Sequence, residues 1–283
     1  MSDRLILAVP SKGRLAEPAL ELLEAAGLAF EASERALSIP CANAPVDLLL
    51  VRAADIPEYV QDGVVHAGIT GANLVAEAGA EVVTLTQLGF ARCSLQAAVP
   101  DDAPQTSLEE LNGLRVATAY PHSTRKLLEE RGVGVELVPV SGSVEASPRL
   151  GLSDAIVDLV STGSTASANG LRLVGKLLDS EAVLVASGTG RHALLERLEL
   201  MLSAVVAARH RRYLMMNAPA SALDAIRSVL PGMGAPSVLP LADEGQIAIH
   251  AAVDTDAVWD LLAPLKAAGA SSILVVPVER LVP

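Results

Sequence analysis

Aromatic residues are nearly absent: phenylalanine, tryptophan and tyrosine together make up 2% of the 283 residues. A core of stacked rings is thereby excluded, and Leu, Val, Ile and Ala must fill the interior. That palette suits buried parallel strands covered by helices. Cysteine is confined to Cys41 and Cys93, which have neither metal-ligand spacing nor a paired framework and read as buried free thiols. Positive charge is in deficit, with a formal net charge of −12. This argues against nucleic acid or an anionic membrane as a partner, yet leaves room for small anionic substrates in a locally positive cleft. No apolar run reaches the ~18 residues of a membrane span. The run Leu5–Val9 is too short for a signal-peptide core, so a soluble cytoplasmic protein is expected.

Other absences narrow the chemistry. The five histidines are scattered, which speaks against a metal cage. There is no Walker-type loop, no Gly-x-Ser-x-Gly elbow and no paired CxxC, so kinase, hydrolase and zinc-enzyme readings lose their anchors. No fixed-period repeat or low-complexity segment is present.

What is present is an α/β pattern. At 51% hydrophobic residues the chain is globular, and its length suits two or three domains. Leu5–Val9 reads as a buried strand, Pro10-Ser11-Lys12-Gly13-Arg14 as a turn, and Glu17–Ala26 as a helix closed by Gly27. Strands at Val46–Val51, Val64–Thr70 and Val82–Leu88 alternate with helices at Ile56–Gln61 and Leu74–Ala78. The alternation restarts after Arg92. Strands are predicted at Ser94–Val99, Arg115–Ala119, Val135–Val140 and Ala155–Val160, with helices at Ser107–Leu111, Thr124–Arg131 and Val144–Leu150. A long amphipathic helix is expected over Leu194–Arg212, its basic run Arg209-His210-Arg211-Arg212 at the negative end of the dipole. The remainder reads βαββαβ: strands at Tyr213–Met216, Ser237–Leu241, Gln246–Val253 and Ser272–Val278, helices at Ala222–Leu230 and Thr255–Ala268. That order predicts a ferredoxin-like domain.

Several loops carry polar groups where α/β sheets bind ligands. Ala155–Val160 delivers the chain into Ser161-Thr162-Gly163-Ser164-Thr165 at a helix start, where backbone N–H groups and hydroxyls would make a phosphate cradle. Asp154 and Asp158, four apart, share a face and would accept hydrogen bonds from a ribose diol. An ordinary polar βα turn with solvated aspartates has the same composition. Lys12 and Arg14 follow the first strand, at the sheet edge where open α/β sheets bind ligands, and could hold phosphate oxygens. Exposed loop cations would look alike. Arg52 ends another strand. Tyr120-Pro121-His122-Ser123-Thr124-Arg125 offers a ring for a base at a helix start, although N-capping alone explains Ser-Thr.

Taken together these stretches resemble ATP phosphoribosyltransferase in its long, histidine-regulated form, from Leu5 to Pro283. The resemblance rests on Pro10–Leu15, Arg52 with Asp55-Ile56-Pro57, and Ala117-Thr118-Ala119-Tyr120-Pro121. It extends through Ser141-Gly142-Ser143-Val144-Glu145, Asp154 to Asn169-Gly170-Leu171, and Tyr213-Leu214-Met215-Met216-Asn217 with Gly269–Leu274. It implies two periplasmic-binding-protein-like catalytic domains, residues 1–89 plus 183–212 and 90–182, hinged near Gly89 and Ala182, and a ferredoxin-like regulatory domain, 213–283. The implied reaction joins N1 of the ATP adenine to C1 of 5-phosphoribosyl 1-pyrophosphate, and Mg²⁺-bound pyrophosphate leaves. Substrate contacts implied are Lys12, Arg14, Arg52, Tyr120, Glu145, Asp154, Asp158 and Ser161 to Thr165. L-Histidine as inhibitor would lie near Asn217, Met233, Ser237 and Ser272, and the assembly would be a homohexamer in equilibrium with a dimer. The chain departs from the family at His66 and Asn73, where aspartates are usual, and neither joins the expected catalytic set. Rival readings are a non-catalytic nucleotide or amino-acid sensor on the same scaffold, or a solute-binding protein.

Overall fold

The computed structural model describes residues 4–31, 36–161, 163–188, 192–230 and 236–282. The chain opens with β1 (Leu5–Pro10), α1 (Ala16–Ala25), β2 (Ser38–Pro40), β3 (Val46–Val51), α2 (Ile56–Gln61), β4 (Ala67–Gly71), α3 (Ala72–Ala78) and β5 (Val82–Gln87). In β1, Leu5, Leu7, Ala8 and Val9 are fully buried. The strand runs parallel to β3, from Leu5 opposite Val46 to Pro10 opposite Val51, and parallel to β4. A strand covered on both faces needs the near-continuous apolar run seen here. On β4, a Cβ added to Gly68 would collide with Cγ2 of Ile56, so α2 packs against bare backbone there.

A second lobe follows: β6 (Cys93–Pro100), β7 (Arg115–Thr118), α4 (Pro121–Glu129), β8 (Glu136–Pro139), β9 (Ala155–Val160), α5 (Ser164–Ala168) and β10 (Leu171–Ser180). Then β11 (Ala182–Ser187) returns to the first sheet. The first sheet has the order β2-β3-β1-β4-β11-β5, the second β10-β6-β9-β7-β8. The chain therefore crosses between lobes twice, between β5 and β6 and again between β10 and β11. The crossings are bonded together, since Leu88 N–H donates to Ala182 O at 2.9 Å and Ala182 N–H to Phe90 O at 3.0 Å. The second lobe closes on Leu95, Leu111, Val116, Leu128 and Val157. Each fully buried Leu contributes about 1.5–3 kcal/mol relative to exposure. This is the two-lobed, periplasmic-binding-protein-like α/β layout.

The chain divides into two compact units, Met1–Glu199 and Leu200–Pro283, with the break inside α6 (Ala193–Arg209). The second unit contains β12 (Arg211–Pro219), α7 (Leu223–Val229), β13 (Ser237–Pro240), β14 (Gln246–Asp254), α8 (Val258–Ala267) and β15 (Ser271–Pro277). Its sheet is antiparallel in the order β13-β14-β12-β15, the ferredoxin-like arrangement of a βαββαβ chain. Leu214, Met216 and Ala218 alternate inward along β12 to meet Ile226 of α7 and Leu261 and Leu265 of α8.

Three expectations need correction. The long helix stops at Arg209, which stands in its last turn as expected, but Arg211 and Arg212 belong to β12, so only the start of the basic run lies at the helix end. Arg211 instead reaches Asp254 on the paired strand. Three strands, β2, β10 and β11, form where none is predicted. The helices expected over Ser107–Leu111 and Val144–Leu150 are single 3-10 turns at Glu109–Leu111 and Val144–Ala146.

Candidate functional site

A cavity of about 140 Å³ opens at the C-terminal end of β9. Asp158 and Ser161 at the end of that strand, Gly163 and Thr165 at the start of α5, Glu145 from the 3-10 turn and Gln96 from β6 line it. Gly163 is left-handed, at φ +79°, a conformation that glycine takes at no steric cost. It turns the chain from strand into helix within two residues of Ser161, which leaves Ser161 and Thr165 exposed beside the cavity. Thr162 lies outside the described residues, and Ser164 is described in its backbone alone.

Asp158 is one of two acidic groups that line this cavity, with Glu145. Its Oδ1 accepts the Leu159 N–H at 2.8 Å. Burial pushes its carboxyl above the ordinary aspartate range; the Leu159 hydrogen bond opposes this, Glu145 adds to it and Arg14 opposes it. A carboxylate that burial makes costly to ionise favours a ligand bringing hydrogen-bond donors.

Asp154 does not belong here. Arg115 donates its backbone N–H to Asp154 Oδ2 at 3.0 Å and its Nη2 to Oδ1 at 2.9 Å. These contacts hold the carboxyl below the ordinary range, the Arg115 side chain being the larger cause. Asp154 precedes β9 while the loop follows it, roughly 20 Å along an extended strand. Asp154 ties β9 to β7, and Asp158 alone of the two faces the cavity.

From the first lobe, Lys12 and Arg14 follow β1 and Arg52 follows β3, all three exposed. Because β1 and β3 are parallel and in register, their following loops emerge side by side, joined by Ser11 N–H to Val51 O at 2.8 Å. Arg14 reaches across to the second lobe, where its Nη2 lies 3.1 Å from Cys93 Sγ. Tyr120 is half-buried at the N-cap of α4. Burial raises its hydroxyl above the ordinary range, Asp158 adds to the rise and Arg14 opposes it. Arg14, Tyr120 and Asp158 therefore share one electrostatic neighbourhood.

His66 and Asn73 have structural partners. His66 Nδ1 accepts the Ile6 N–H at 2.9 Å, and its ring meets His192 edge-on at 4.9 Å. Burial, then His192, lower its pKa. Asn73 N–H donates to Ser180 Oγ at 2.9 Å, and that hydroxyl donates to Asn73 Oδ1 at 2.8 Å, fastening α3 to the end of β10. The residue that sequence reasoning missed is Gln96, a cavity wall that donates from Nε2 to Ser94 Oγ at 2.7 Å. Its signal was an amide alone in an apolar strand.

In the second unit, Asn217 O accepts the Ser271 hydroxyl at 3.2 Å, and Ser272 follows at φ +49°, opposite a register shift between β12 and β15. Asn217 and Ser272 therefore come together. Ser237 begins β13, three strand spacings from β15, or about 14 Å. Within one chain it does not join them. Met233 lies outside the described residues.

Two α/β lobes joined by a double crossing, a hydroxyl-rich strand-to-helix turn beside two carboxylates, and a ferredoxin-like domain define a class: two-lobed α/β proteins with a polar cavity at a strand end and a further α/β domain. The comparisons make the assignment specific. A family model described as ATP phosphoribosyltransferase matches residues 52–205, and one described as the HisG C-terminal domain matches residues 208–280. The chain is 41% identical to the ATP phosphoribosyltransferase of Methanosarcina barkeri, over 98% of this chain and 99% of that protein. It is 44% identical to that of Gemmatimonas aurantiaca, over 99% and 100%. Among solved structures, a chain of the ATP phosphoribosyl transferase (HisG:HisZ) complex from Thermotoga maritima matches with a TM-score of 0.60 and 27% identity. That match covers 70% of this chain and 98% of the other. The chain belongs to the ATP phosphoribosyltransferase family, a family of transferases, and is of the long form that carries the C-terminal domain.

Proposed function

We propose that this chain transfers the phosphoribosyl group of 5-phosphoribosyl 1-pyrophosphate to N1 of the adenine of ATP, the opening step of histidine biosynthesis. The observation that carries the reading is the cavity in which Asp158 and Glu145 face the Ser161–Thr165 turn. The N1 lone pair forms the new bond to C1 of the ribose, and the C1–O bond breaks with its electron pair leaving on pyrophosphate. Such a displacement needs placement and charge stabilisation rather than a protein nucleophile.

The roles divide by lobe. Backbone N–H groups and hydroxyls of Ser161, Gly163 and Thr165, with Thr162 and Ser164, hold the 5′-phosphate. Asp158 accepts from the ribose hydroxyls, with Glu145 beside it. Lys12, Arg14 and Arg52 meet phosphates from the first lobe, and Tyr120 lies against the adenine. Among the described residues no cluster of three or more His, Cys, Asp or Glu side chains could hold a metal by itself. Mg²⁺ is typically held by one or two carboxylates plus substrate phosphates. Glu145 and Asp158 are the carboxylates that would hold it, and bound Mg²⁺ supplies charge neutralisation on the departing pyrophosphate.

Residues 1–89 with 183–212 form one catalytic domain in this reading, 90–182 the other, and 213–283 the regulatory domain. L-Histidine binds the last at Asn217 and Ser272, and Ser237, separated within one chain, joins them from a neighbouring copy in a homohexamer that exchanges with dimers. No helix among the described residues is long and apolar enough to cross a membrane. The test is to supply Mg²⁺, ATP and phosphoribosyl pyrophosphate and follow pyrophosphate release together with the N1-ribosylated adenine chromophore. Formation of both supports the reading; saturating substrates without either product overturn it.

A further inference from the structure

Helix α4 begins without a cap of its own. Its N-cap, Tyr120, makes no side-chain capping bond, and Pro121 occupies the first turn. The N–H groups of the next two residues, His122 and Ser123, are the ones that an N-cap side chain ordinarily satisfies. Here both are taken by a carboxylate from the other lobe. Glu77, on α3, accepts His122 N–H on Oε1 at 3.0 Å and Ser123 N–H on Oε2 at 2.9 Å. One oxygen serves each donor, and the negative charge sits at the positive end of the α4 dipole. The helices meet closely beside this contact, since a Cβ added to Gly79 would stand 3.2 Å from Nε2 of His122.

The start of α4 is also what sets Tyr120. Tyr120 N–H donates to Thr118 Oγ1 at 2.9 Å, that oxygen lies 3.2 Å from Thr124 Oγ1, and Thr124 N–H donates back to Tyr120 O at 2.9 Å. Tyr120 therefore moves with the first turn of α4. We infer that Glu77 is an inter-lobe latch: by capping α4 from the first lobe it holds the lobes together on this side of the cleft and positions Tyr120 for the nucleotide. Glu77 acts through α4 and touches no substrate, so it is a positioning residue. The positioning half rests on the proposed role of Tyr120; the latch does not.

Two measurements on Glu77→Ala and Glu77→Gln in the full chain decide the matter. The first is amide hydrogen exchange without substrates. Exchange at His122 and Ser123 should accelerate by roughly tenfold or more in Glu77→Ala, given two charge-assisted bonds lost, while amides of β9 stay protected. Glu77→Gln keeps one acceptor oxygen and should recover part of that protection. The second is steady-state kinetics: KM for ATP should rise by about tenfold with kcat nearly retained, the signature of lost ground-state placement. Unchanged exchange at both amides in Glu77→Ala overturns the latch whatever the enzyme does. Lost protection with an unchanged KM for ATP overturns the positioning role. If Glu77→Ala does not fold, Glu77→Gln carries both readouts, with smaller shifts of the same sign expected and wild-type values overturning the proposal. A wild-type chain that forms no product at all refutes the proposed reaction, and the exchange experiment still decides the latch.

Discussion

Replacing Asp158 by Asn keeps the shape of the side chain and removes its charge at the cavity floor. Its consequences for function and for stability should run in opposite directions. Ribose hydroxyls donating to an ionised carboxylate make charge-assisted bonds worth roughly 1.5–3 kcal/mol each, against about 0.5–1.5 kcal/mol for neutral ones. Asn keeps one acceptor at neutral strength and turns the other oxygen into a donor that confronts a hydroxyl. With one bond lost and the other reduced to neutral strength, a net loss of about 2.5–4.5 kcal/mol follows, a fall of roughly 60- to 2000-fold in kcat/KM for phosphoribosyl pyrophosphate. The unliganded fold should gain. Burial and Glu145 hold the Asp158 carboxyl above its ordinary range, so the folded chain binds that proton more tightly than the unfolded chain does. The penalty therefore develops as pH rises from the ordinary aspartate value through the raised folded value, and is complete above it. At neutral pH Asp158→Asn should melt later than wild type, and the difference should shrink on acidification. Pyrophosphate release at varied phosphoribosyl pyrophosphate and saturating ATP, beside thermal melts at neutral and mildly acidic pH, measures both. An unchanged kcat/KM refutes the ribose contact, and an earlier melt at neutral pH refutes the electrostatic reasoning.

Asp154→Asn should do the reverse. Its carboxyl is depressed by the Arg115 side chain and then the Arg115 N–H, so it contributes stability above the ordinary aspartate value that is lost as pH falls through the lower folded value. The variant should melt earlier at neutral pH and lose that part of its acid sensitivity with kcat/KM unchanged; a kinetic loss as large as that of Asp158→Asn would put Asp154 back in the site. Ser272→Gly relieves a left-handed residue at φ +49°. Melting should show a gain of about 0.5–1 kcal/mol, the conformational relief less the added glycine entropy, while calorimetric titration should show weaker L-histidine binding. Wild-type histidine affinity in this variant would remove Ser272 from the inhibitor site.

Most of the alternation of strands and helices, the βαββαβ tail and the position of the hydroxyl-rich turn after Ala155–Val160 were legible in the sequence. Each is a local property, set by apolar periodicity and by glycine at element ends, and the chain carries it without knowing its neighbours. The crossing strands β10 and β11 escaped because Leu171-Arg172-Leu173-Val174 and Ala182-Val183-Leu184-Val185 stand with a single residue between the strands, with no turn signal between them. Their meaning comes from partners far along the chain: β10 pairs with β6 and β11 with β4 and β5. The site divides the same way. Sequence spacing placed Asp154 and Asp158 on one face, but only the sheet decided that Arg115 claims one at the start of β9 and the cavity the other at its end. The cap that Glu77 provides to α4 spans 45 and 46 residues of sequence. No periodicity encodes it, because a carboxylate finds a helix end in another lobe only once both lobes have folded.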